Sequence, residues 1–243
     1  MTVGVSKKRI SAKEAVKMIQ KGDRLLVGGF GICGTPFTII DTITESEHAR
    51  ELTIISNNLG EAGKGLGKLL ISKHIKRAIG SYFTTNRDAV KAWNNGELDI
   101  EIIPQGTLAE AIRAGGAGIA GFYTKTGVGT EIAIGQEERE FDGEKYLFVR
   151  GIRARIALIK ADKADSMGNL VYARTARNFN PMMATAADIV IAEVDEIVNV
   201  GELDPEQIVT PHNYIDYIVL NDRYEKIGGE YVERRKESSR RQD

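Results

Sequence analysis

The sequence is poor in the residues that build disulfides and metal sites, with one cysteine and three histidines in 243 residues. Cys33 alone cannot form an intramolecular disulfide, and His48, His74 and His212 show none of the spacings of a zinc site. These scarcities predict a reducing compartment and a chain without a metal site.

The sequence also lacks a charge excess and a long apolar run. Its 33 basic and 34 acidic residues give a formal net charge of -1, so no long-range field attracts nucleic acid or an anionic membrane. No apolar run is long enough to span a bilayer, and the basic residues 7–9 are followed by an amphipathic stretch rather than an apolar signal core. We therefore expect a cytoplasmic protein that binds neither nucleic acid nor membrane.

Repeats and low-complexity linkers are also missing, and 243 residues lie within the usual size of one α/β domain. The last residues, from 225 onward, are charged and rich in arginine, with little apolar content. We assign residues 1–226 to a single domain and expect residues 227–243 to form a frayed or solvated tail.

Short apolar runs alternate with helical patterns along the first half of the chain. Ser11 and Glu14 form a capping-box pattern that starts a helix running to about residue 21. Strands are expected at residues 25–27, 52–56, 75–80 and 100–103, and helices after Pro36 and at residues 66–72, 87–94 and 108–114. This alternation predicts an α/β fold with an open, mostly parallel sheet flanked by helices.

Turn residues in the second half predict antiparallel hairpin extensions of this sheet. Asp142 and Gly143 separate residues 138–141 from residues 146–149, and residues 165–168 form a second turn before a strand at residues 169–172. Residues 188–194 have the pattern of one more buried strand.

The glycines that follow the first strand match a dinucleotide-binding pattern. Residues 29–34 read G-x-G-x-x-G between a strand and a helix. A nicotinamide site also needs an acidic residue at the end of the second strand, but that strand ends in Asn57 and Asn58. A dinucleotide-dependent oxidoreductase is therefore the weaker alternative, and a structural turn with glycines that permit positive φ is another.

Polar side chains follow several of the predicted strands, where an open parallel sheet forms its ligand crevice. They are amides and hydroxyls, which can hold a carboxylate or stabilise an oxyanion but do not attack a substrate. The candidate ligand-contacting residues are Gly28, Gly29, Phe30, Gly31, Gly34, Asn57, Asn58, Thr84, Asn86, Gln105 and Gly106. Residues 177–181 precede a proline-initiated helix and are either a helix cap or a further part of this site.

Six ordered motifs cover nearly the whole chain, at residues 25–36, 56–58, 104–110, 113–118, 122–130 and 176–180. Together they resemble the A (alpha) subunit of the family I CoA-transferases, in the group that acts on succinyl-CoA and 3-ketoacids or on acetate, butyrate and acetoacetate. One departure is Lys21, which stands where the family signature usually carries Asp or Asn.

The resemblance implies a ping-pong exchange in which a glutamate of a B (beta) subunit forms an acyl anhydride and then a glutamyl-CoA thioester. That glutamate lies in a Ser-Glu-Asn-Gly segment, which is absent from this sequence. We expect Gln105 to donate a hydrogen bond to the oxyanion, and Asn57 and Asn58 to position the partner's glutamate or the substrate carboxylate.

The resemblance further implies an A2B2 heterotetramer, coenzyme A as a substrate and no permanently bound cofactor. Succinyl-CoA with acetoacetate is the first choice of substrates, and acetate or butyrate is the second. A non-catalytic binding module that keeps the fold and its crevice remains a third hypothesis.

Overall fold

The computed structural model describes residues 8–227 and 230–234. The strands are β1 (Arg9–Ile10), β2 (Arg24–Val27), β3 (Leu52–Ile55), β4 (Ile75–Gly80), β5 (Asp99–Ile102), β6 (Gly121–Thr124), β7 (Glu138–Phe141), β8 (Glu144–Arg150), β9 (Ala154–Asp165), β10 (Leu170–Val171), β11 (Ala187–Val198), β12 (Tyr217–Leu220), β13 (Tyr224–Ile227) and β14 (Glu230–Glu233). The α-helices are α1 (Ala12–Lys17), α2 (Phe37–Thr44), α3 (Leu66–Ile71), α4 (Arg87–Asn94), α5 (Gln105–Gly116) and α6 (Asn180–Thr185).

Nine of the described strands form one sheet in the order β1-β12-β11-β9-β2-β3-β4-β5, with β10 paired to β9. All neighbours along this path are parallel, and only β10 runs antiparallel to its partner. The predicted α/β fold with a mostly parallel sheet is therefore confirmed. β4 and α4 occupy the predicted residues, whereas α1 ends earlier, at Lys17, and α5 begins earlier, at Gln105.

Helices cover both faces of the large sheet, because successive strand residues point to opposite sides. Leu25 and Val27 belong to a buried cluster with residues of α1, α2, α3 and α4. Leu26, between them, belongs to a second buried cluster with residues of α5 and α6. A strand that is covered on both faces therefore has a continuous apolar run, as predicted for β2.

Two smaller antiparallel sheets accompany the large one. β6, β8 and β7 form a three-stranded sheet, and its β7–β8 hairpin turns at Asp142 and Gly143 as predicted. β13 and β14 form a separate two-stranded hairpin. β10 pairs antiparallel with β9 after the turn at residues 165–168, so both predicted hairpins are confirmed, whereas the hairpin of β13 and β14 was not predicted.

The predicted start of the solvated tail at residue 227 falls inside the hairpin of β13 and β14, and for this segment the expectation is corrected. The rings of Tyr224 and Phe37 pack with centroids 5.2 Å apart, and Tyr231 donates a hydrogen bond to Asp195 Oδ2 at 2.7 Å. Two tyrosines thus anchor a segment whose average composition is charged. Residues 228–229 and 235–243 of the predicted tail lie outside the described residues.

Asn180 connects the glycine turn after β2, residues 28–36, to the centre of the sheet. Its buried side chain accepts a hydrogen bond from Lys160 N at 2.9 Å and donates to Gly34 O at 3.1 Å. A Cβ atom on Gly28 would lie 1.7 Å from Asn180 Oδ1. Asn180 is therefore a packing residue, and the side-chain cap considered for residues 177–181 is absent from α6 in the described structure.

Glu193, on β11, is fully buried next to the start of α2. Its Oε2 accepts a hydrogen bond from Ile39 N at 3.0 Å, and its Oε1 has no hydrogen-bond partner among the described residues. Burial raises the pKa of Glu193 to about 7, although the nearby Lys160 ammonium opposes the rise. This carboxyl group therefore changes its charge near neutral pH.

The first prediction concerns Glu193→Gln. The ordinary pKa of a glutamate is 4.5, so between this value and about 7 the folded chain holds a proton that the unfolded chain has released. The folded state then loses stability as the pH rises through this window, by up to about 3 kcal/mol. We therefore expect the melting temperature of Glu193→Gln minus that of wild type to increase as the pH is raised from about 5 to 8. The control is Glu196→Gln, an exposed position of the same strand, and an equal pH profile for all three proteins would contradict the prediction.

The second prediction compares two glycines. In Gly28→Ala the new methyl group collides with the buried Asn180 side chain, so we expect a loss of about 1–3 kcal/mol of unfolding free energy. Gly106→Ala is the control, because a Cβ there meets nothing within 4 Å and alanine favours a helix. Chemical denaturation of both variants measures the difference, and equal stability of the two would disprove the close approach.

Candidate active site at the carboxyl edge of the sheet

The carboxyl ends of β2, β3, β4 and β5 bring several predicted residues to one edge of the sheet. Gly28 directly follows β2, Asn57 is the second residue after β3, and Gln105 is the first residue of α5 and the third residue after β5. Because these strands are parallel neighbours, their ends lie side by side. The sequence predicts a ligand crevice at this edge, and that crevice stays a prediction.

Asn57 and Gln105 are in direct contact, and Asn57 also contacts a third residue, Ser81, that no sequence motif indicated. Asn57 Nδ2 donates hydrogen bonds to Ser81 Oγ at 2.9 Å and to Gln105 Oε1 at 3.1 Å. The Asn57 residue is 3 % exposed, whereas Gln105 is exposed. We call Asn57, Ser81 and Gln105 the amide group.

The amide of Gln105 has its oxygen occupied and its nitrogen available. Its Oε1 accepts the hydrogen bond from Asn57, while no described residue accepts a hydrogen bond from its Nε2. An amide N–H2 group at an exposed edge can donate to a negatively charged oxygen of a ligand. The amide group therefore has the chemistry of an oxyanion-stabilising donor.

Asn58 and Asn86 lie elsewhere and stabilise their own loops. Asn58 Oδ1 accepts a hydrogen bond from Gly60 N at 2.9 Å. Asn86 caps α4 through Asp88 N and donates to Leu59 O at 2.8 Å. Both asparagines are buried, so the described structure does not bring them into the amide group.

Thr84 and Gly106 are both exposed, and both are close in sequence to members of the amide group. Thr84 follows β4 in the loop that contains Ser81, and Gly106 is the second residue of α5. Their expected contacts with a ligand stay predictions.

The glycine turn has a packed base and an open tip. A Cβ atom would lie 2.5 Å from Thr35 Oγ1 at Gly29 and 2.5 Å from Ala176 O at Gly34, so close packing requires these glycines. At the tip, Gly31 has a φ of 64° and no heavy atom within 4 Å of its Cβ position, and Phe30 is 49 % exposed. The structural-turn interpretation explains the base, whereas the tip offers an open surface to a ligand or partner.

A cleft of about 900 Å³ opens beside the turn, and the sequence patterns did not predict it. Its wall includes Phe37, the cations Lys64, Lys68 and Arg174, and Tyr224 of the C-terminal hairpin. The Lys68 ammonium donates to Asp41 Oδ1 at 2.8 Å and to Tyr224 OH at 2.9 Å, so it holds α2, α3 and the hairpin together. Its position between these elements arises from long-range contacts, which leave no local sequence signal.

Other kinds of site are absent from the part of the chain that the structure describes. It contains no group of three or more His, Cys, Asp or Glu residues arranged to hold a metal ion. Within the same described ranges, every helix is too short or too polar to cross a lipid bilayer.

The chain is similar to proteins of known class over most of its length. The family model described as Coenzyme A transferase matches residues 9–221. The chain is 52 % identical over 216 residues to the A subunit of the probable succinyl-CoA:3-ketoacid coenzyme A transferase of Bacillus subtilis, covering 89 % of this chain and 90 % of that protein. It is 42 % identical over 214 residues to the alpha subunit of the acetate CoA-transferase of Escherichia coli K12, covering 88 % of this chain and 97 % of that protein.

The fold is also similar to a solved enzyme structure. The acyl-CoA transferase YdiF of Escherichia coli O157:H7, in a thioester complex with CoA, superposes with a TM-score of 0.80 at 23 % identity. The match covers 93 % of this chain and 49 % of that one, so the chain spans about half the length of YdiF. The family model, the sequence identities and the architecture confirm the resemblance seen in the six motifs, and the chain belongs to the coenzyme A transferase family.

Proposed function

We propose that the chain is the A subunit of a 3-oxoacid CoA-transferase and supplies the oxyanion donor of an active site shared with a B subunit. The observation that carries this proposal is the hydrogen bond from Asn57 Nδ2 to Gln105 Oε1, which leaves Gln105 Nε2 available at the exposed carboxyl edge of the sheet. The names of the relatives from Bacillus subtilis and Escherichia coli support this assignment.

The nucleophile is a glutamate of the B subunit. The sequence has no Ser-Glu-Asn-Gly segment, and the amide group provides hydrogen-bond donors and acceptors rather than an activated nucleophile. The partner's carboxylate attacks the thioester carbonyl, the C–S bond breaks, and CoA leaves as a thiolate. The thiolate then attacks the glutamyl carbonyl of the anhydride, which releases the donor acid and leaves a glutamyl-CoA thioester. The carboxylate of an acceptor acid then attacks the glutamyl-CoA thioester, and the two steps run in reverse to release the acceptor as its CoA thioester.

Gln105 stabilises the tetrahedral oxyanions that form in these steps. Each attack places a full negative charge on a former carbonyl oxygen, and a fixed N–H donor lowers the barrier by about 3–4 kcal/mol. The hydrogen bond from Asn57 holds the Gln105 amide in place at the carboxyl edge of the sheet. The open tip at Phe30 and Gly31 provides the surface that the acyl-CoA and the partner's glutamate approach.

Succinyl-CoA and acetoacetate are the proposed substrates, in an A2B2 complex in the cytoplasm. The succinyl-CoA:3-ketoacid relative from Bacillus subtilis, at 52 % identity, supports this choice over acetate, the substrate class in the name of the relative at 42 % identity. Acetate or butyrate with acetoacetate is the second candidate. Coenzyme A enters as a substrate and no resident cofactor is required.

The third prediction tests the division of the active site between two chains. We expect CoA exchange between succinyl-CoA and acetoacetate only when the chain is mixed with a co-encoded protein that carries Ser-Glu-Asn-Gly. Replacing the glutamate of that segment with glutamine should abolish exchange. Exchange catalysed by the isolated chain would show that the nucleophile lies here, and NADH binding measured by fluorescence would favour an oxidoreductase instead.

The fourth prediction tests Gln105. In the assembled complex, Gln105→Ala should lower kcat about a hundredfold or more, because one oxyanion donor is removed. Gln20→Ala, at an exposed glutamine between α1 and β2, is the control and should keep wild-type turnover. Near-normal kcat of Gln105→Ala in a ping-pong assay would remove this residue from the mechanism.

A further inference from the structure

Ser81 is the middle member of the amide group, because it follows the strand that lies between the other two. Asn57 follows β3 and Gln105 follows β5, while Ser81 follows β4, which lies between these strands. Neighbouring strands are about 4.8 Å apart, so the side chains of Asn57 and Gln105 span two such spacings to meet. The hydrogen bond between them therefore passes over the end of β4.

Gly80 allows this crossing to be tight. A Cβ atom at Gly80 would lie 2.5 Å from Ser56 O and 3.1 Å from Asn57 O. The backbone of β4 thus comes close to the end of β3, and Ser81 N donates to Asn57 O at 3.0 Å. The Ser81 hydroxyl is held at the same carbonyl, with Oγ 3.2 Å from Asn57 O.

The Ser81 hydroxyl fixes the orientation of the Asn57 side-chain amide. Its hydrogen points to the main-chain oxygen of Asn57, so its lone pairs face the side chain and accept a hydrogen bond from Nδ2 at 2.9 Å. A rotated Asn57 amide would place Oδ1 at Ser81 Oγ, so the hydroxyl would have to turn its hydrogen away from Asn57 O, and the bond to Gln105 Oε1 would be lost. Nδ2 is therefore held on the side of Ser81 and Gln105.

The same orientation is passed to Gln105. An amide nitrogen has two hydrogens, and Asn57 uses one for Ser81 Oγ and the other for Gln105 Oε1. The Gln105 oxygen is thereby held toward Asn57, which directs the Gln105 N–H2 group away from the strand edge. A half-rotation of Gln105 would place two N–H2 groups against each other.

We propose that Ser81 is a positioning residue that acts through Asn57 to present the Gln105 N–H2 group, rather than its carbonyl, to the reacting oxygen. This inference rests on the proposed function for its catalytic consequence, whereas the amide orientation itself is a property of this chain. Ser81 does not touch the substrate and transfers no proton.

The fifth prediction is a double-mutant cycle in the assembled complex. Ser81→Ala removes the acceptor of Asn57 Nδ2, so we expect kcat to fall roughly tenfold while KM stays within about twofold. Ser81→Thr keeps the hydroxyl and should restore most of the turnover. In the Gln105→Ala background, Ser81→Ala should have no further effect, because the donor that it positions is already missing. The control is Ser72→Ala, which removes a partly buried hydroxyl that bonds His74 at the end of α3 and should leave kcat unchanged.

Two kinetic results would overturn the proposal. One is wild-type kcat in Ser81→Ala, and the other is an equal loss of kcat from Ser81→Ala with and without Gln105, which is the behaviour of a general structural defect. If Ser81→Ala does not fold, Asn57→Asp supplies the second test, because it replaces the donor to Gln105 with an acceptor of the same size. We expect this variant to match Gln105→Ala in kcat, and wild-type turnover would overturn the proposal.

A spectroscopic measurement separates this inference from the proposed function. The side-chain N–H2 resonances of Asn57 and Gln105 can be assigned in the full chain by their loss in the variants at those positions. We expect Ser81→Ala to shift both pairs of resonances, whereas Ser72→Ala should shift neither. Shifted resonances in a complex without CoA exchange would contradict the proposed function alone, and unshifted resonances in an active complex would contradict only the role of Ser81.

Discussion

The structure depends on the buried side-chain amide of Asn180, which replaces a hydrogen bond that β9 loses where β2 leaves the sheet. β2 pairs with β9 up to the bond from Gly28 N to Leu158 O, after which the chain leaves in the glycine turn. The next amide of β9 on that side, Lys160 N, would lack an acceptor, and an unpaired buried N–H costs about 1–3 kcal/mol. Asn180 Oδ1 accepts it at 2.9 Å, and its Nδ2 holds Gly34 O and Ala176 O. One side chain thus completes the hydrogen bonding of β9 and connects the turn, at Gly34, to the segment before α6.

Lys160 also connects the sheet to the C-terminal hairpin, through its side chain. The Lys160 ammonium, 1 % exposed, pairs with Asp195 Oδ1 at 2.6 Å, and Asp195 Oδ2 accepts from Tyr231 OH. Breaking such a pair leaves an uncompensated charge in the interior, which is far more costly than a surface ion pair. The hairpin that appeared to be a solvated tail from its composition is therefore held, through Tyr231, by an ion pair of Asp195 and Lys160, which lie 36 and 71 residues before Tyr231 in sequence.

Much of the fold could be predicted because strand and helix signals were local. The apolar run of β2, the capping box at Ser11 and the Asp142-Gly143 turn each depend on a few adjacent residues, and the structure confirms all three. β9 was missed as an element of its own, since its buried Lys160 and the later charges break the apolar pattern, and long-range partners neutralise them. Propensity does not contain such pairing information.

The candidate site was predicted in part for the same reason. Asn57, Asn58 and Asn86 are equivalent as residue types after strand ends, yet only Asn57 reaches Gln105, while the others bond to the nearby loop and helix backbone. Which amide turns inward depends on the exact path of the backbone after each strand, and that path is set by tertiary packing. Ser81 belonged to no motif, so its contact with Asn57 required coordinates.

The close approach at Gly80 has a consequence for how members of this family can diverge. With the backbone of β4 against Ser56 O and Asn57 O, main-chain spacing sets where Asn57 and Ser81 lie, and the Asn57 side chain then holds the Gln105 amide. A side chain larger than glycine at position 80 would therefore push the ends of β3 and β4 apart, and with them the proposed oxyanion donor. In the proposed complex with a B subunit, adaptation to acyl chains of another length would then come from the opposing chain or from the exposed tip of the turn, while the distance from the sheet to the proposed donor stays unchanged.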